Sequence, residues 1–529
     1  MSGPAAGEPR RSWTLRAPGG MVCSVDHLAS SAGIAMLRAG GSAVDAAVAA
    51  SAVLAVTSQH MCGMGGDLFA LVHTGDGPPA VLNASGRAGS GADPERLRAE
   101  GHRQMPFRGD IRSVTVPGCV DGWTTLHERF GRLPLREVLA PAAGYAANGF
   151  PASPLLAASV VNALAGVAGP HDFEPAPASG ELVRRPGLAA ALVAIAAGGR
   201  DAFYGGPFGE GLLGLGGGEY TTDDLARSQA DWVAPLGVDV WGHRVWTVPP
   251  NSQGYLNLAG AWIAAGLDLP ADGDDPLGAH LLIEAARQAG HDRPAVLADD
   301  ADGARLISPE RLAPRRAAID PDRRAVLRER FAGGGTMYLC AVDADRMGVS
   351  LIQSNASGFG AHVIEPRTAI FLHNRGIGFS VDEGHPAEYR PGRRPPHTLA
   401  PALVTHPDGR LRAVLGTMGG DAQPQVVLQL LERLLRRHRS AGAAVGSARW
   451  ALATEGTGFD TWEDPDATVV QIEPHAPAGW DAGLTGRGHV VARRAANYGH
   501  AHVIDLERNG EVLAGGADPR ARTGATVGY

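Results

Sequence analysis

The spacing of apolar and polar positions predicts helices through most of the first half of the chain. Small and aliphatic residues recur at helical spacing over residues 30–56 and are interrupted at Gly40-Gly41, which predicts two packed, Ala-rich helices. The stretch over residues 58–69 contains a Gly-rich turn at 62–67 that leads into an apolar run, which predicts a strand over 68–73. Further helical patterns cover residues 133–167, residues 185–198, and a later helix with Glu284, Arg287 and Gln288 on its polar face.

From residue 337 the pattern changes to short β-rich segments separated by Gly or Pro. These segments cover residues 337–342, 348–353, 361–365, 369–372 and 411–415. Between the two halves, residues 314–335 are rich first in Arg and then in Gly, which predicts an exposed connector. We therefore expect an α+β protein with a helical first half and a sheet-rich second half.

Composition and charge exclude several classes of function. The net charge of the 529-residue chain is -8, which gives no electrostatic footprint for nucleic acid or an anionic membrane, so neither partner is expected. All 47 basic residues are Arg. Without Lys the chain cannot be a pyridoxal enzyme that uses a Schiff base or carry a phosphate loop of the Gly-Lys-Ser/Thr type.

The cysteines and the N-terminus indicate a protein of a reducing compartment. Four scattered cysteines are too few for a disulfide framework or a zinc site with paired short spacings. The first 16 residues contain no hydrophobic run of the secretory type, and the longest apolar stretch, residues 46–56, is too short to cross a bilayer. We therefore expect a cytoplasmic location.

Residues 333–336 contain a candidate nucleophile. Gly333, Gly334 and Gly335 precede Thr336 at the start of a predicted strand, and a backbone of three glycines can bend sharply around the Thr hydroxyl. On these residues alone, an ordinary turn before a strand is the simpler interpretation. A catalytic role for Thr336 needs evidence from elsewhere in the chain.

That evidence is a series of motifs spread over most of the chain. They are Gly20-Met21-Val22, Asp26-His27, Gly40-Gly41, Ala43-Val44-Asp45-Ala46-Ala47, Gly63-Met64-Gly65-Gly66, Val116-Pro117-Gly118, Pro249-Pro250-Asn251-Ser252-Gln253-Gly254, Asp292-Arg293, Gly335-Thr336, Phe359-Gly360 and Met418-Gly419-Gly420. In their order and spacing they resemble the γ-glutamyltransferase family. That resemblance implies an N-terminal-nucleophile hydrolase with a four-layer αββα sandwich, made as a single precursor.

The resemblance also implies that the precursor cuts itself between Gly335 and Thr336. The products would be a large fragment of residues 1–335 and a small fragment of residues 336–529, held together as a heterodimer. A Thr hydroxyl is a weak nucleophile until a base activates it, and self-cleavage would supply the α-amino group of Thr336 as that base. No metal or organic cofactor is needed for this chemistry.

Other matched positions imply the remaining parts of the site. Gly419 and Gly420 match the backbone amides that stabilise the oxyanion, although a turn before a helix is a compatible interpretation. Ser354 matches the second hydroxyl that assists the nucleophile, and a strand hydroxyl bonded to backbone is the alternative. Arg87 matches the Arg that binds the substrate's α-carboxylate, a contact suited to the planar guanidinium.

The chain departs from the family pattern where the substrate's α-ammonium group should be held. Gly378 stands at the position of the expected acid, and Arg375 replaces the expected Gln. The expected Asn falls on Ala356, with Asn355 adjacent. The expected Ser-Ser pair is His397-Thr398. An ammonium group without an acidic partner, beside an added Arg, would lose its charge compensation, so specificity is expected to have moved.

We therefore expect a substrate with a carboxylate near the scissile carbonyl and no required α-amino group, bound by Arg87 and Arg375 with Asn355, His397 and Thr398 nearby. A short oxo-acid amide fits, and the acyl group would pass to water or an amine. The motifs resemble a sub-branch of the family that includes oxamate amidohydrolase. A γ-glutamyl donor, a hydrolase that cleaves a C–C bond beside an oxalyl group, and an inactive scaffold relative remain alternatives.

Three further groups are expected to be structural. Residues 209–214 match the spacing of a dinucleotide fingerprint, but the following Gly216-Gly217-Gly218 predicts a loop. His500 and His502 alternate as on a strand without nearby ligand partners, so no metal site is expected. Glu284, Asp292 and Arg293 are expected to brace packing, whereas the roles of His397 and Asp421 stay open between substrate orientation and a cap or turn.

Overall fold

The structure, a computed structural model, describes residues 13–164, 167, 169, 171–327, 337–454, 461–462, 464–495 and 498–529. The strands before residue 250 are β1 (Leu15–Ala17), β2 (Met21–Ser24), β3 (Asp67–His73), β4 (Ala80–Ala84), β5 (Phe150–Pro151), β6 (Leu182–Val183), β7 (Asp231–Val233), β8 (Leu236–Val240) and β9 (His243–Thr247). The later strands are β10 (Met337–Val342), β11 (Gly348–Ser354), β12 (Val363–Glu365), β13 (Ile370–Leu372), β14 (Ala402–Thr405), β15 (Leu411–Thr417), β16 (Trp450–Ala453), β17 (Val469–Ile472), β18 (Val491–Arg493), β19 (Ala501–Glu507), β20 (Val512–Ala517) and β21 (Ala525–Gly528).

The helices surround these strands. They are α1 (His27–Arg38), α2 (Ala43–Thr57), α3 (Pro94–Ala99), α4 (Cys119–Phe130), α5 (Leu135–Asn148), α6 (Pro154–Ala163), α7 (Pro186–Tyr204), α8 (Pro207–Gly216), α9 (Thr222–Ala226), α10 (Tyr255–Ala265), α11 (Pro276–Gly290), α12 (Arg293–Val296), α13 (Gly303–Leu306), α14 (Pro309–Ala317), α15 (Gln423–Leu431), α16 (Ala441–Gly446) and α17 (Gly479–Gly486). None of the helices in the described ranges is long and apolar enough to cross a bilayer.

The two helices expected over residues 30–56 are confirmed as α1 and α2. Asp26 caps the first of them by accepting the Leu28 amide, and Gly40 at φ 88° turns the chain between the two helices. Ser42 and Asp45 then form a reciprocal capping box at the start of α2. Every residue of α2 is buried, which explains why its sequence is apolar on all faces.

Two antiparallel sheets of seven strands each form the centre of the molecule. The first sheet has the order β1-β20-β19-β15-β14-β9-β8, and the second has the order β21-β2-β10-β11-β3-β4-β7. Tyr338 and Cys340 of β10 pack with Val414 of β15 in the core between the sheets, whereas Leu339 and Ala341 point to the opposite face. This alternation has the period of two that a strand imposes.

Helices cover the outer face of each sheet, so the chain has four layers. α1, α2, α5 and α7 share one core with the second sheet, and α10, α11 and α15 share another with the first sheet. The expected α+β class and the αββα sandwich are thereby confirmed. Both sheets contain strands from before and after residue 335, because β10 lies between β2 and β11 and β15 lies in the same sheet as β9.

The loop expected over residues 209–214 is wrong, because these residues lie inside helix α8. Pro207 opens the helix, and Gly217 ends it in the left-handed conformation at φ 53°. Phe208 and Leu212 are buried in the core that covers the second sheet. That burial outweighs the helix-weakening effect of the glycines.

The expected polar face of α11 is also buried. Arg287 Nη1 donates to Glu284 Oε1 at 2.8 Å and to the Ala325 carbonyl, and Nη2 donates to Asp466 Oδ1 at 3.1 Å. The Leu327 amide donates to the same Asp466 carboxylate. The expected exposure of the connector is confirmed as far as residue 327, since none of residues 314–327 is buried. Its first residues belong to α14, and hydrogen bonds from Ala325 and Leu327 hold its later part against the carboxylates of Glu284 and Asp466.

Arg287→Met should lower the free energy of unfolding by about 3–5 kcal/mol, because it leaves Glu284 buried without its charged partner. Urea denaturation followed by circular dichroism measures this change. Arg323→Ala is the matched control, since its side chain is 80% exposed and pairs with Asp320 at the surface; it should cost less than about 0.5 kcal/mol. Equal effects of the two substitutions would contradict the importance of the buried pair.

Candidate functional site

The expected cleavage site, Gly335 and Thr336, lies outside the described residues. Strand β10 begins at the next residue, Met337, and pairs it with Gln353 of β11. Ser354, the expected second hydroxyl, is the last residue of β11 and pairs with Asp67 of β3. The described part of β10 therefore begins in the middle of the second sheet, at the end of β11 that carries Ser354.

Three of the expected site residues form one hydrogen-bonded cluster, and one of the three is a buried cation. Arg375 Nη1 donates to Thr398 Oγ1 at 3.1 Å, and Nη2 donates to Ser354 Oγ at 3.4 Å. The guanidinium belongs to a short 3-10 helix over Arg375–Gly378 and is 2% exposed. Three residues far apart in sequence thus form one polar cluster at the end of β11.

The charge of Arg375 is retained in spite of its burial. Burial lowers the pKa of Arg375 to about 10, while Asp67 and Asp421 oppose that shift and Arg293 adds to it. A pKa of about 10 keeps the guanidinium protonated at neutral pH. The site therefore presents a desolvated positive charge, which is a strong and directional partner for a carboxylate.

Gly419 and Gly420 lie next to this cluster. Gln253 Nε2 donates both to the Thr398 carbonyl at 2.9 Å and to the Gly420 carbonyl at 3.0 Å, which ties the two segments together. The φ angles of Gly419 and Gly420 are 136° and 57°, values that residues with a Cβ rarely adopt. The turn after β15 therefore requires glycine, and the role of its backbone amides at the oxyanion stays a prediction.

Asp67 is a member of the site that the sequence patterns did not single out. Its Oδ1 accepts the Gly86 amide at 2.9 Å and the Gly118 amide at 3.4 Å, and its Oδ2 accepts His397 Nε2 at 3.1 Å. Burial favours the neutral acid, but His373, the His397 bond and the Gly86 amide outweigh it and lower the pKa of Asp67 to about 2. The carboxylate is ionised in the interior.

Both ring nitrogens of His397 are used inside the protein. Nδ1 accepts the Leu399 amide at 3.2 Å, so the ring proton is on Nε2 and is donated to Asp67. Burial, followed by the charge of Arg375, lowers the pKa of His397 to about 3. This ring is held in place by its neighbours, which favours a positioning role over the substrate orientation that the sequence left open.

Asn355 points away from the Arg375 cluster. Its backbone amide donates to the Met61 carbonyl, and its Nδ2 donates to the Gln59 carbonyl at 3.1 Å, just beyond the end of α2. The adjacent Ala356 has φ 70° and donates its amide to Ser354 Oγ. Asn355 is therefore near Ser354 in the chain while its side chain contacts the neighbouring helical segment.

Arg87 belongs to a second charged cluster. Its Nη2 donates to Asp231 Oδ2 at 2.5 Å, and Arg394 Nη1 lies 2.9 Å from the same oxygen. Two guanidinium groups thus share a single carboxylate, which is 45% exposed. Arg87 makes no hydrogen bond to the Arg375 cluster among the described contacts, and the two are linked through Gly86 and Asp67.

Gly378 has no room for a side chain. A Cβ built on Gly378 would lie 2.4 Å from the Pro396 carbonyl oxygen, and one on Gly376 would lie 2.6 Å from the Ser113 carbonyl oxygen. Backbone atoms cannot retreat as a flexible side chain can, so an acid at 378 would require the segment to move. The path of the backbone at position 378 therefore excludes the side chain of an acid.

One group outside this site has the residue types of a metal centre. His280, Glu284 and His489 place one ligand atom each within 4.8 Å of one another. However, His280 Nδ1 and His489 Nε2 share a hydrogen bond of 2.8 Å, and Glu284 already accepts a hydrogen bond from Arg287. These atoms are therefore already used within the protein. Arg287, Arg324 and Arg487 also surround His489, and their positive charge disfavours a cation there.

Comparison with known proteins decides the family. The model of the gamma-glutamyltranspeptidase family matches residues 29–528. The chain belongs to this family. It is 36% identical to the oxamate amidohydrolase proenzyme of Klebsiella pneumoniae, over 96% of this chain and 98% of the relative. It is equally identical to the glutathione hydrolase-like YwrD proenzyme of Bacillus subtilis, with the same coverage of each chain.

A solved structure agrees with this assignment. The crystal structure of cephalosporin acylase from Bacillus halodurans superposes with a TM-score of 0.89 and 32% identity, covering 100% of this chain and 98% of the other. The family member described here is therefore an enzyme of the γ-glutamyltransferase-like amidohydrolase and acyltransferase type, with the N-terminal-nucleophile fold. The residues that the resemblance assigns to the α-ammonium position, Arg375 and Gly378 among them, differ from the pattern expected for a γ-glutamyl substrate.

Gly378→Ala should lower the free energy of unfolding by about 1–3 kcal/mol, because the new methyl group meets the Pro396 carbonyl. Gly144→Ala is the matched control, since a Cβ there meets nothing within 4 Å and the residue lies inside α5. That control should be neutral or stabilising by up to about 1 kcal/mol. Chemical denaturation measures both; an unchanged Gly378→Ala protein would show that the segment yields easily.

Proposed function

We propose that the chain is a precursor that cuts itself between Gly335 and Thr336, and that Thr336 then acts as an N-terminal nucleophile. Two observations support the proposal. Several relatives are named as proenzymes, and β10 begins at Met337, one residue after the proposed nucleophile. The mature protein would consist of residues 1–335 and 336–529.

In the proposed mechanism the free α-amino group of Thr336 removes the proton from its own hydroxyl. The reference pKa of an α-amino group is about 7.7–8.0, so a useful fraction is unprotonated at neutral pH. The hydroxyl oxygen attacks the amide carbonyl, and the backbone amides at Gly419 and Gly420 stabilise the oxyanion. The amine leaves, and water or another amine then releases the acyl group from Thr336.

The substrate we propose is a short amide with a carboxylate next to the scissile carbonyl. The carrying observation is the position of Arg375, a buried cation whose guanidinium bonds both Ser354 and Thr398. A substrate carboxylate at this guanidinium would gain a charge-assisted interaction in a desolvated site. Gly378 supplies no acid for an α-ammonium group, so a γ-glutamyl donor would leave that charge uncompensated.

Oxamate is the simplest molecule that meets these conditions, since its carboxylate is bonded directly to the amide carbonyl. Its hydrolysis would give oxalate and ammonia. The relative from Klebsiella pneumoniae is named for this substrate. Arg87 would provide a second positive group for a larger carboxylate substrate, after exchanging part of its contact with the half-exposed Asp231.

The sheet order also supports a stable pair of fragments after processing. In the second sheet β2, β3, β4 and β7 come from the proposed large fragment, and β10, β11 and β21 come from the small one. β10 pairs with β2 on one side and with β11 on the other. Separating the fragments would break backbone hydrogen bonds in both sheets, so they should remain together as a heterodimer.

Purified protein should run on a denaturing gel as two bands of about two thirds and one third of the chain length. Thr336→Ala should remain a single chain, because it lacks the hydroxyl that attacks the Gly335 carbonyl. Under native conditions the two fragments should elute together as one complex. An intact wild-type chain after prolonged incubation would instead support the inactive scaffold alternative.

Processed enzyme should hydrolyse oxamate, measured as ammonia release, at least about 100-fold more efficiently in kcat/KM than γ-glutamyl-p-nitroanilide. Arg375→Gln should lower kcat/KM for oxamate by about 100-fold or more, because the carboxylate loses a charged partner worth several kcal/mol in a buried site. Arg323→Gln, at an exposed position, is the control and should be unchanged. Efficient γ-glutamyl turnover would refute the substrate class.

A further inference from the structure

Asp67 connects four separate segments of the chain at the site. By strand register it is the direct partner of Ser354, so the two side chains lie on the same face of the second sheet. Its carboxylate binds the amide of Gly86, which precedes Arg87, and the ring of His397, which precedes Thr398. It also lies 3.4 Å from the Gly118 amide nitrogen.

We propose that Asp67 is the positioning residue of this site, holding the Arg87 loop and the His397-Thr398 segment at the distances that a small carboxylate substrate requires. The proposal rests on the proposed function for its consequence in catalysis. Its geometry is independent of that function, because every contact named is within the protein. In the proposed mechanism Asp67 takes no part in bond making or breaking and acts through the residues it holds.

Asp67 is connected in two steps to Arg375, the group proposed to bind the substrate. Asp67 fixes the His397 ring, and His397 is held by its backbone to Asn251 and Gln253 on either side. The next residue, Thr398, accepts Arg375 Nη1 at 3.1 Å. The His397 ring also accepts the Leu399 amide through Nδ1, so rotation of the ring would release the backbone on the far side of Thr398, whose hydroxyl orients the guanidinium.

Asp67 also compensates the charge of Arg375. Among the charges that favour the protonated guanidinium, Asp67 has the largest effect, ahead of Asp421. Burial lowers the pKa of the His373 and His397 rings, and Arg293 opposes the charge of Arg375. Removing the negative charge of Asp67 would raise the free-energy cost of burying the Arg375 guanidinium.

A role for Asp67 as a general base is disfavoured by the same contacts. Its Oδ1 accepts backbone amide protons and its Oδ2 accepts a ring proton, so its oxygens are already used as acceptors. Its pKa of about 2 also makes it a weak base at neutral pH. The carboxylate is suited to holding other groups in place.

The first test is a stability cycle of Asp67→Asn, Arg375→Gln and the double variant, followed by thermal melting. Asp67→Asn should lower the melting temperature by at least about 3 °C. The double variant should melt at least about 2 °C above the additive expectation, because each charge is then removed with its partner. If Asp67→Asn fails to fold, a folded double variant supports the coupling. Additive losses of melting temperature contradict the coupling. A double variant that fails to fold when Asp67→Asn also fails to fold contradicts it as well.

The second test is kinetic and uses the processed fraction of each variant on oxamate. Asp67→Asn should raise KM by at least about 10-fold and change kcat by less than about 3-fold, because the residue positions binding groups. A lower KM would show that Asp67 acts only through its negative charge and would overturn the positioning role. An unchanged KM would show that Asp67 has a structural role only and would refute the positioning role.

Asp45→Asn is the matched control for both tests. Asp45 is also fully buried, and its Oδ2 accepts the amides of Ser42, Arg132 and Leu133. It lies at the opposite end of α2 from the Gln59 contact of Asn355, about 20 Å away along the helix. Asp45→Asn should lower the melting temperature, leave KM unchanged and show no coupling to Arg375→Gln.

The two proposals can fail separately. If wild-type protein does not hydrolyse oxamate but the melting temperatures of the Asp67 and Arg375 variants are coupled, the substrate is wrong and the charge pairing stands. If oxamate is hydrolysed but Asp67→Asn behaves like Asp45→Asn, the function stands and the positioning role is refuted.

Discussion

The burial of Arg375 is the constraint on which the rest of the site depends. A guanidinium held away from water is tolerated only when neighbouring charges and hydrogen-bond acceptors compensate it. Asp67 and Asp421 supply negative charge, and the hydroxyls of Ser354 and Thr398 accept its protons. These groups come from distant parts of the chain, so the site exists only when both sheets have assembled.

The fold provides that assembly through strand register. β11 ends at Ser354 beside Asp67 of β3, and the 397–398 segment is held by the backbone of Asn251 and Gln253. Close backbone contacts make the arrangement tight: a Cβ on Gly66 would lie 2.3 Å from the Ser354 carbonyl oxygen. The glycine motif next to Asp67 therefore serves packing, and it brings the carboxylate into the site.

Much of the fold and part of the site were predictable from the sequence. The helices around Gly40 and the strand after residue 336 follow from local periodicity, and the motifs indicated Ser354, Arg375, Thr398 and the glycines at 419 and 420. The helix over 207–216 was missed because core burial outweighs local glycine preference. Asp67 was missed because its partners depend on register; an acid that directly follows Gly-Gly and opens an apolar strand was the available signal.

The most direct measurement is a crystal structure of the processed enzyme with bound oxalate, the product expected from oxamate. If the buried cation Arg375 binds the substrate's carboxylate, one oxalate carboxylate should lie within hydrogen-bond distance of the Arg375 guanidinium. The other should lie beside the N-terminal Thr336. Oxalate bound at Arg87 and Asp231 alone, with Arg375 still bonded only to protein groups, would contradict a carboxylate site at Arg375.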